Sequence, residues 1–504
     1  MNQQNDYKKK LELRKQKFKK TIDFDAVKDK RVQIGSTLSK NKKEDFMLEK
    51  RMKKKQGKQE TVSKINFQSE EFQKQLEKKI RLIPIYSKLI FGTDLKKRLE
   101  NLGKIRKLLS IPENPPFEQV IQTGIIKELI TIIDNSNEDI QFEIVWIICN
   151  ISSGTIQQTQ YLIDNNIENL LIKYLKSPNK KIRKLCSLAL NNIYIDFQRH
   201  SSKQEVLKTL LEIFPTIKPH SLEFHTFVLL TSSLIRGKSL VNSDQASQIL
   251  SLLVNNLKQN YKELKRDILW CLLDLIRNEN MNKDLIQKSG LHLKLMNIIT
   301  KLQQKIDVNP REKIGYEIII ICLNQISIIF SMDEGISDEI MELKNLEPFK
   351  NILVWKRRKA TEGIIKILSN SSLNENSIQK YLDGKILINL LELEMDSSNE
   401  IRILIFSFLI KMIKNANSNQ MSEIFSTNFF KKITSLIEID NTESILTILN
   451  LIEEILKKEN SVKNSPMIER MEEANLIEKI EQLQTHPNEE IYQKTFSILE
   501  TFFA

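Results

Sequence analysis

The chain has 504 residues, with 12 Gly, 11 Pro and 4 Cys, and a formal net charge of +13. That length holds several ordinary domains or one extended repeat array. So little Gly and Pro, beside abundant Leu, Ile, Lys and Glu, excludes a turn-rich β architecture and leaves scant material for phosphate-binding loops.

The first segment is a basic arm. Residues 1–60 hold 20 Lys and Arg against 9 Asp and Glu, so they carry +11 and the other 444 residues only +2. A block of like charge reads as a solvated, flexible tail unless a partner orders it. The opening "MNQQNDYKKK" has no apolar stretch, so no secretory signal is expected.

From about residue 80 the apolar positions follow a helical period, broken by short polar stretches such as "DNSNED", "SPNKK" and "DSSNE". One position recurs. Trp146 in "DIQFEIVWIICNI" aligns with Leu188, Leu229 and Trp270 at steps of 42, 41 and 41 residues, then more loosely with Ile321, Lys366 and Ser407 at 51, 45 and 41. A helical period near 40 residues marks stacked repeats of the HEAT or armadillo kind. Each unit leaves an apolar face that only its neighbours cover, so the array is expected to wind into a superhelix with a concave face.

Within "QFEIVWIICNISSGT" Trp146 and Asn150 share a helix face, being four residues apart. By itself the pair reads first as a Trp half in the core and an Asn capping the next loop. In a repeat array it reads as a groove: Asn150, Asn192, Trp146 and Trp270 would point into one channel. An Asn offers a donor and an acceptor together and can clamp an extended peptide. A Trp face packs the stem of a Lys or Arg and attracts its cation. Cys149, Cys186, Cys271 and Cys322 stand singly in apolar segments and are expected to be buried thiols, not a disulfide frame or zinc site. The run "EIIIICLNQISIIF" contains Glu317 and Asn324 and is expected to be too short and too polar for a bilayer span. Phosphate-loop, nucleophile-elbow and zinc-protease motifs are absent, and no enzyme is expected.

Four stretches then stand in a telling order: "KDKRVQIGSTLSKNKKEDFMLEKR", "RKLLSIPENPPFEQVIQTGIIKELI", "QFEIVWIICNISSGTIQQTQ" and "LIEKIEQLQTHPNEEIYQKTFSILETFF". With them the sequence resembles the importin-alpha (karyopherin-alpha) family of nuclear import adaptors, across nearly the whole chain. The resemblance implies an all-α fold, a right-handed superhelical solenoid of about ten armadillo repeats preceded by a flexible basic arm. It divides the chain into an importin-beta-binding arm at 1–57, a linker at 58–80 and a solenoid at 81–504, whose last repeat is about 474–504. It implies that lysine-rich nuclear localisation signals bind in a major groove at Trp146, Asn150, Gly154, Thr159, Asn192, Asp196, Asp267 and Trp270. There Gly154, Thr159 and Asp196 would hold the deepest Lys. Arg236 and Lys238 would lie mid-groove, and Asn370 would survive in a weak minor groove.

In the arm the resemblance implies importin-beta contacts at Lys28, Lys30, Arg31, Lys40, Lys42 and Lys43. It also implies an autoinhibitory pseudo-signal at Lys50, Arg51, Lys53, Lys54 and Lys55. Signal-bearing cargo, importin-beta and, at the last repeat, the family's export receptor are the implied partners, with shuttling between cytoplasm and nucleus. No cofactor, metal or membrane insertion is expected. The pattern departs at Leu188 and Leu229, which stand where the family has Trp, and at Ser233 and Gln325, where it has Asn. Asp274 stands at a frequent Tyr, Lys366 replaces a minor-groove Trp, and the pair after it is Ser407 and Lys411. Two other readings remain: an armadillo scaffold that no longer reads such signals, and nucleic-acid binding through the arm, which phosphate contacts would make steeply salt-dependent.

Overall fold

The structure is a computed structural model that describes residues 70–111, 114–197, 202–219, 221–236, 241–258, 261–393, 398–437, 441–459 and 466–503. Every regular element among them is a helix. The chain divides into two compact units, Met1–Leu240 and Val241–Ala504.

In the first unit four long helices recur: α1 (Leu95–Leu108), α2 (Glu138–Ile151), α3 (Lys180–Asp196) and α4 (Leu222–Ile235). Each packs on the next, and shorter helices stand between them. The polar breaks explain where the long helices start. Asp94 accepts hydrogen bonds from the backbone of Lys96 and Lys97, Asn137 from Ile140, Asn179 from Lys181 and Ser221 from Phe224. A side-chain oxygen thus satisfies an amide that the first turn would otherwise leave unpaired. The short helices turn on a left-handed residue, Gly124 (φ 70°) before Ile125–Ile133 and Asn166 (φ 57°) before Ile167–Leu175. Gly and Asn are the residues that adopt this region at least cost. Helix α2 then buries Ile140, Ile144, Val145, Ile147 and Ile148 completely. Each such side chain contributes about 1.5–3 kcal/mol against leaving it in water, which is what holds one repeat on the next.

A polar cluster sits in this core. Tyr194 and Ser202 both bond to the Glu168 carboxylate, and Lys203 is fully buried, its Nζ donating to the Ser233 carbonyl at 3.0 Å. Burial, helped by Arg236, lowers the Lys203 pKa to about 8. A lysine whose pKa falls on folding opposes folding while it is charged. The penalty is complete below about pH 8 and disappears as pH rises towards 10.5. Lys203→Met is therefore expected to stabilise the protein by about 1–2 kcal/mol at neutral pH, after losing one hydrogen bond. Thermal melts at pH 7 and pH 10 should show the advantage shrinking at the higher pH.

The second unit contains α5 (Lys262–Ile276), α6 (Lys313–Met332), α7 (Arg358–Asn370), α8 (Asn399–Asn415), α9 (Thr442–Glu459) and α10 (Glu489–Phe502), again packed in succession. The left-handed turn recurs at Gly290, Lys385 and Asn475. Helix α6 is longer than its apolar run suggested, at 20 residues, and by length and composition alone it is apolar enough to cross a membrane. It packs against both α5 and α7 and buries Ile318, Ile319, Cys322 and Ile326 there, as a core helix does. Its length and that of Leu291–Val308 account for the 51-residue step in the sequence period.

The first described helix, Glu70–Arg81, begins within the stretch assigned to the linker, and a helix at Pro466–Glu473 precedes the stretch assigned to the last repeat. The arm, residues 1–57, lies outside the described residues, and with it Lys28, Lys30, Arg31, Lys40, Lys42, Lys43, Lys50, Arg51, Lys53, Lys54 and Lys55.

Candidate functional site

In the first unit the end of α3 meets the start of the helix Ile156–Asp164. Asp196 is the last residue of α3, and its carboxylate accepts a hydrogen bond from the Thr159 hydroxyl at 3.0 Å. Thr159 is fully buried, and its single hydroxyl proton is shared between this carboxylate and the Thr155 carbonyl at 3.1 Å. Gly154 lies just ahead of the Thr155–Gln158 capping box that starts this helix. A Cβ at Gly154 would come within 2.0 Å of Gln158 Oε1, so a larger residue there would disturb the box. Asp196 is an acid at the negative end of a helix dipole, where a carboxylate is disfavoured.

Four residues before Asp196, the Asn192 amide donates to Ser152 Oγ at 3.0 Å, across to the turn after α2. Asn150 does the same one repeat earlier, donating to Ser110 Oγ at 3.0 Å. Both asparagines are therefore cross-repeat staples, with 8% of Asn150 and 3% of Asn192 exposed. Trp146 is half-buried; the Arg106 guanidinium lies 4.3 Å from its ring centroid and Phe142 meets it edge-on at 5.2 Å. Glu143 holds Arg106 in place at 2.5 Å. Sequence reasoning missed Arg106 and the serines, although Ser110 and Ser152 each precede their asparagine by 40 residues. At Leu188 the ring is replaced by a side chain 7% exposed, and Leu229 is half-buried. The Ser233 hydroxyl donates to the Leu230 carbonyl one turn back. Arg236, the exposed C-cap of α4, adds to the positive field on Lys203, whereas Lys238 lies outside the described residues.

In the second unit Asp267 accepts from Arg266 at 3.1 Å, and Arg266 reaches Glu317 on α6 at 3.6 Å. Trp270 is half-buried on the same helix. The staple continues here, from Gln325 to the Leu269 carbonyl at 2.8 Å and from Asn370 to the Ser327 carbonyl at 2.9 Å. Trp355, off the repeat register, donates to Asp307 at 2.8 Å. All four cysteines are buried, as expected, and none forms a disulfide among the described residues; burial pushes the Cys186 and Cys322 thiols up, away from thiolate chemistry.

The armadillo/beta-catenin-like repeat family matches residues 113–153, and an atypical armadillo repeat matches 465–504. Importin subunit alpha-4 of Arabidopsis thaliana is 24% identical over 98% of this chain and 92% of its own length. Importin subunit alpha-1b of Oryza sativa is 23% identical over 85% and 80%. Over a shorter stretch, 34% of this chain and 32% of its own, importin subunit alpha-B of Dictyostelium discoideum reaches 32%. The solved structure of an engineered protein overlays with a TM-score of 0.65 at 15% identity, covering 84% of this chain and 99% of that one, a likeness of fold alone.

Over most of its length the chain is similar to importin alpha subunits, with the low identity a divergent member of that family would show. The described residues form the all-helical armadillo-repeat fold that the sequence implied. Where the resemblance places a row of Trp and Asn, this chain has one Trp and two Asn in the first unit, and in the second it turns to Lys366 and Lys411.

Proposed function

We propose that this protein is a nuclear import adaptor that binds a lysine-rich localisation signal at the Asp196–Thr159–Gly154 pocket of its first unit. The observation that carries the reading is the Asp196 carboxylate, set at a helix C-terminus and oriented by a buried hydroxyl from the adjacent helix. A lysine ammonium entering there meets a carboxylate, a hydroxyl oxygen and the Gly154 carbonyl, the charge-assisted set an ammonium needs. Its stem packs beside Trp146, whose slot Arg106 already holds in shape on one side. Asn150 and Asn192 keep their amides next to the path of the peptide. Arg236 and Lys238 are the basic pair assigned to the middle of the groove, and Asp267 and Trp270 offer a further acid and ring in the second unit. Asn370 contributes weakly, since its Trp partner is Lys366.

The basic arm at 1–57 then recruits importin-beta, the last repeat takes the export receptor, and the protein shuttles between cytoplasm and nucleus. No catalysis is involved. In the absence of importin-beta the stretch Glu49 to Lys55 occupies the pocket. A pseudo-signal of ~10 μM affinity tethered at ~1 mM effective concentration would favour the closed form about a hundredfold. That is worth about 2.7 kcal/mol against cargo.

Fluorescence anisotropy with a labelled lysine-rich peptide tests this. Residues 58–504 should bind it more tightly than the full chain, by up to about a hundredfold. A truncated protein that does not bind would leave the scaffold reading, which the stapled asparagines and Leu188 favour.

A further inference from the structure

The second unit carries a surface that a basic signal does not explain. The structure assigns to the shared face of α7 and α8 the binding of an acidic, Asp- and Glu-rich extended peptide. This goes beyond the pocket of the first unit and does not depend on it.

The two helices contain two carboxylates, Glu362 and Glu400, and Arg358 takes both, at 2.8 and 3.5 Å. What remains on α7 and α8 is basic: Lys359, Lys366, Arg402, Lys411 and Lys414. Lys366 and Lys411 are exposed, and neither forms an ion pair among the described residues. Lys414 lies in the last turn of α8, where the helix dipole accounts for a cation, but Lys366 and Lys411 lie before the last turn of their helices. A Glu four residues ahead of Lys366 would ordinarily pair with it, yet Glu362 is committed to Arg358.

The two lysines are brought together by the repeat register. Lys411 Nζ donates to the Ser369 carbonyl at 3.4 Å, so this lysine reaches back 42 residues just as Asn192 reaches back to Ser152. Where Asn150, Asn192, Gln325 and Asn370 set an amide, this repeat sets an ammonium, and its carbonyl contact lies three residues from Lys366. Ser407, at the register position that Trp146 and Trp270 hold in other repeats, is exposed. Unpaired like charges on adjacent helices repel one another, and an anionic strand laid across both relieves that cost. A basic peptide would add to it.

A short peptide of alternating Glu and Ser, carrying a benzophenone and a fluorophore, tests the assignment on the full-length protein. Binding should weaken with salt, and crosslinks should map to α7 and α8 by mass spectrometry. Lys366→Glu with Lys411→Glu should lower the affinity about tenfold or more and remove those crosslinks. Lys288→Glu with Lys431→Glu, of equal charge change on other helices, should leave both unchanged. Because all four sites are exposed, circular dichroism should show every variant folded, and Lys366→Ser with Lys411→Ser should give an intermediate loss. Crosslinks confined to residues 1–57, equal losses in the two charge-reversed pairs, or no binding would each overturn the assignment. So would an RNA oligonucleotide that binds these lysines while the peptide does not.

Discussion

Asp196→Lys is expected to abolish binding of a lysine-rich peptide while leaving the thermal midpoint within a few degrees of the parent. The two halves of that expectation come from different forces. A carboxylate and an ammonium about 4 Å apart interact by about 4 kcal/mol at the effective dielectric of a protein surface. Reversing the sign replaces attraction with repulsion of similar size, so the loss in affinity should exceed about a thousandfold. Stability responds to smaller, opposed terms. The variant gives up the Thr159 hydrogen bond, worth about 1 kcal/mol. It also places a cation at the end of a helix that prefers one, recovering about 0.3–1 kcal/mol. Asp196→Asn should retain the hydroxyl contact and lose only part of the affinity. A fall of many degrees in the midpoint of Asp196→Lys, with binding merely reduced in proportion, would make the residue a structural carboxylate and remove the pocket as the signal site.

The repeat period was legible in the sequence because each repeat solves the same packing problem at the same positions. Asn137, Asn179 and Ser221 stand in the polar breaks and cap the helices that follow. The left-handed turns were half legible: Gly124, Asn166 and Gly290 announce themselves, while Lys385 adopts the same region without a side chain that favours it. The role of the asparagines was the least legible. Their amides look free in a linear sequence, and their partners are serines 40 residues earlier, brought near only by stacking. Arg106 over Trp146 is hidden for the same reason, since a cation–π contact between consecutive repeats leaves no local pattern. The charge of α7 and α8 was visible as departures from the family pattern, but only the Arg358 pairing shows which lysines remain unneutralised.

Restoring the missing rings tests the pocket from the opposite direction. Leu188→Trp with Leu229→Trp is expected to raise affinity for a lysine-rich peptide by up to about a thousandfold, near 4 kcal/mol, if each ring acts as a buried hot spot. The register supports the choice: Leu188 and Leu229 follow Trp146 at 42 and 41 residues, so each ring would stand one repeat further along. A Leu already packs a lysine stem; what the ring adds is a flat face and its quadrupole. The two sites should differ in their effect on stability. Leu188 is only 7% exposed, so a larger side chain there should cost about 1–3 kcal/mol in overpacking. Leu229 is half-buried and should accept the ring with little loss. Single variants assayed for both melting and binding separate the two effects, and Leu229→Trp should show its gain in affinity uncontaminated by destabilisation. If neither single variant nor the pair gains even tenfold, the lysine stems do not travel along this face. Signal reading would then be confined to Asp196 and its neighbours, and the cargo of this adaptor would be defined by one lysine, not by a row of them.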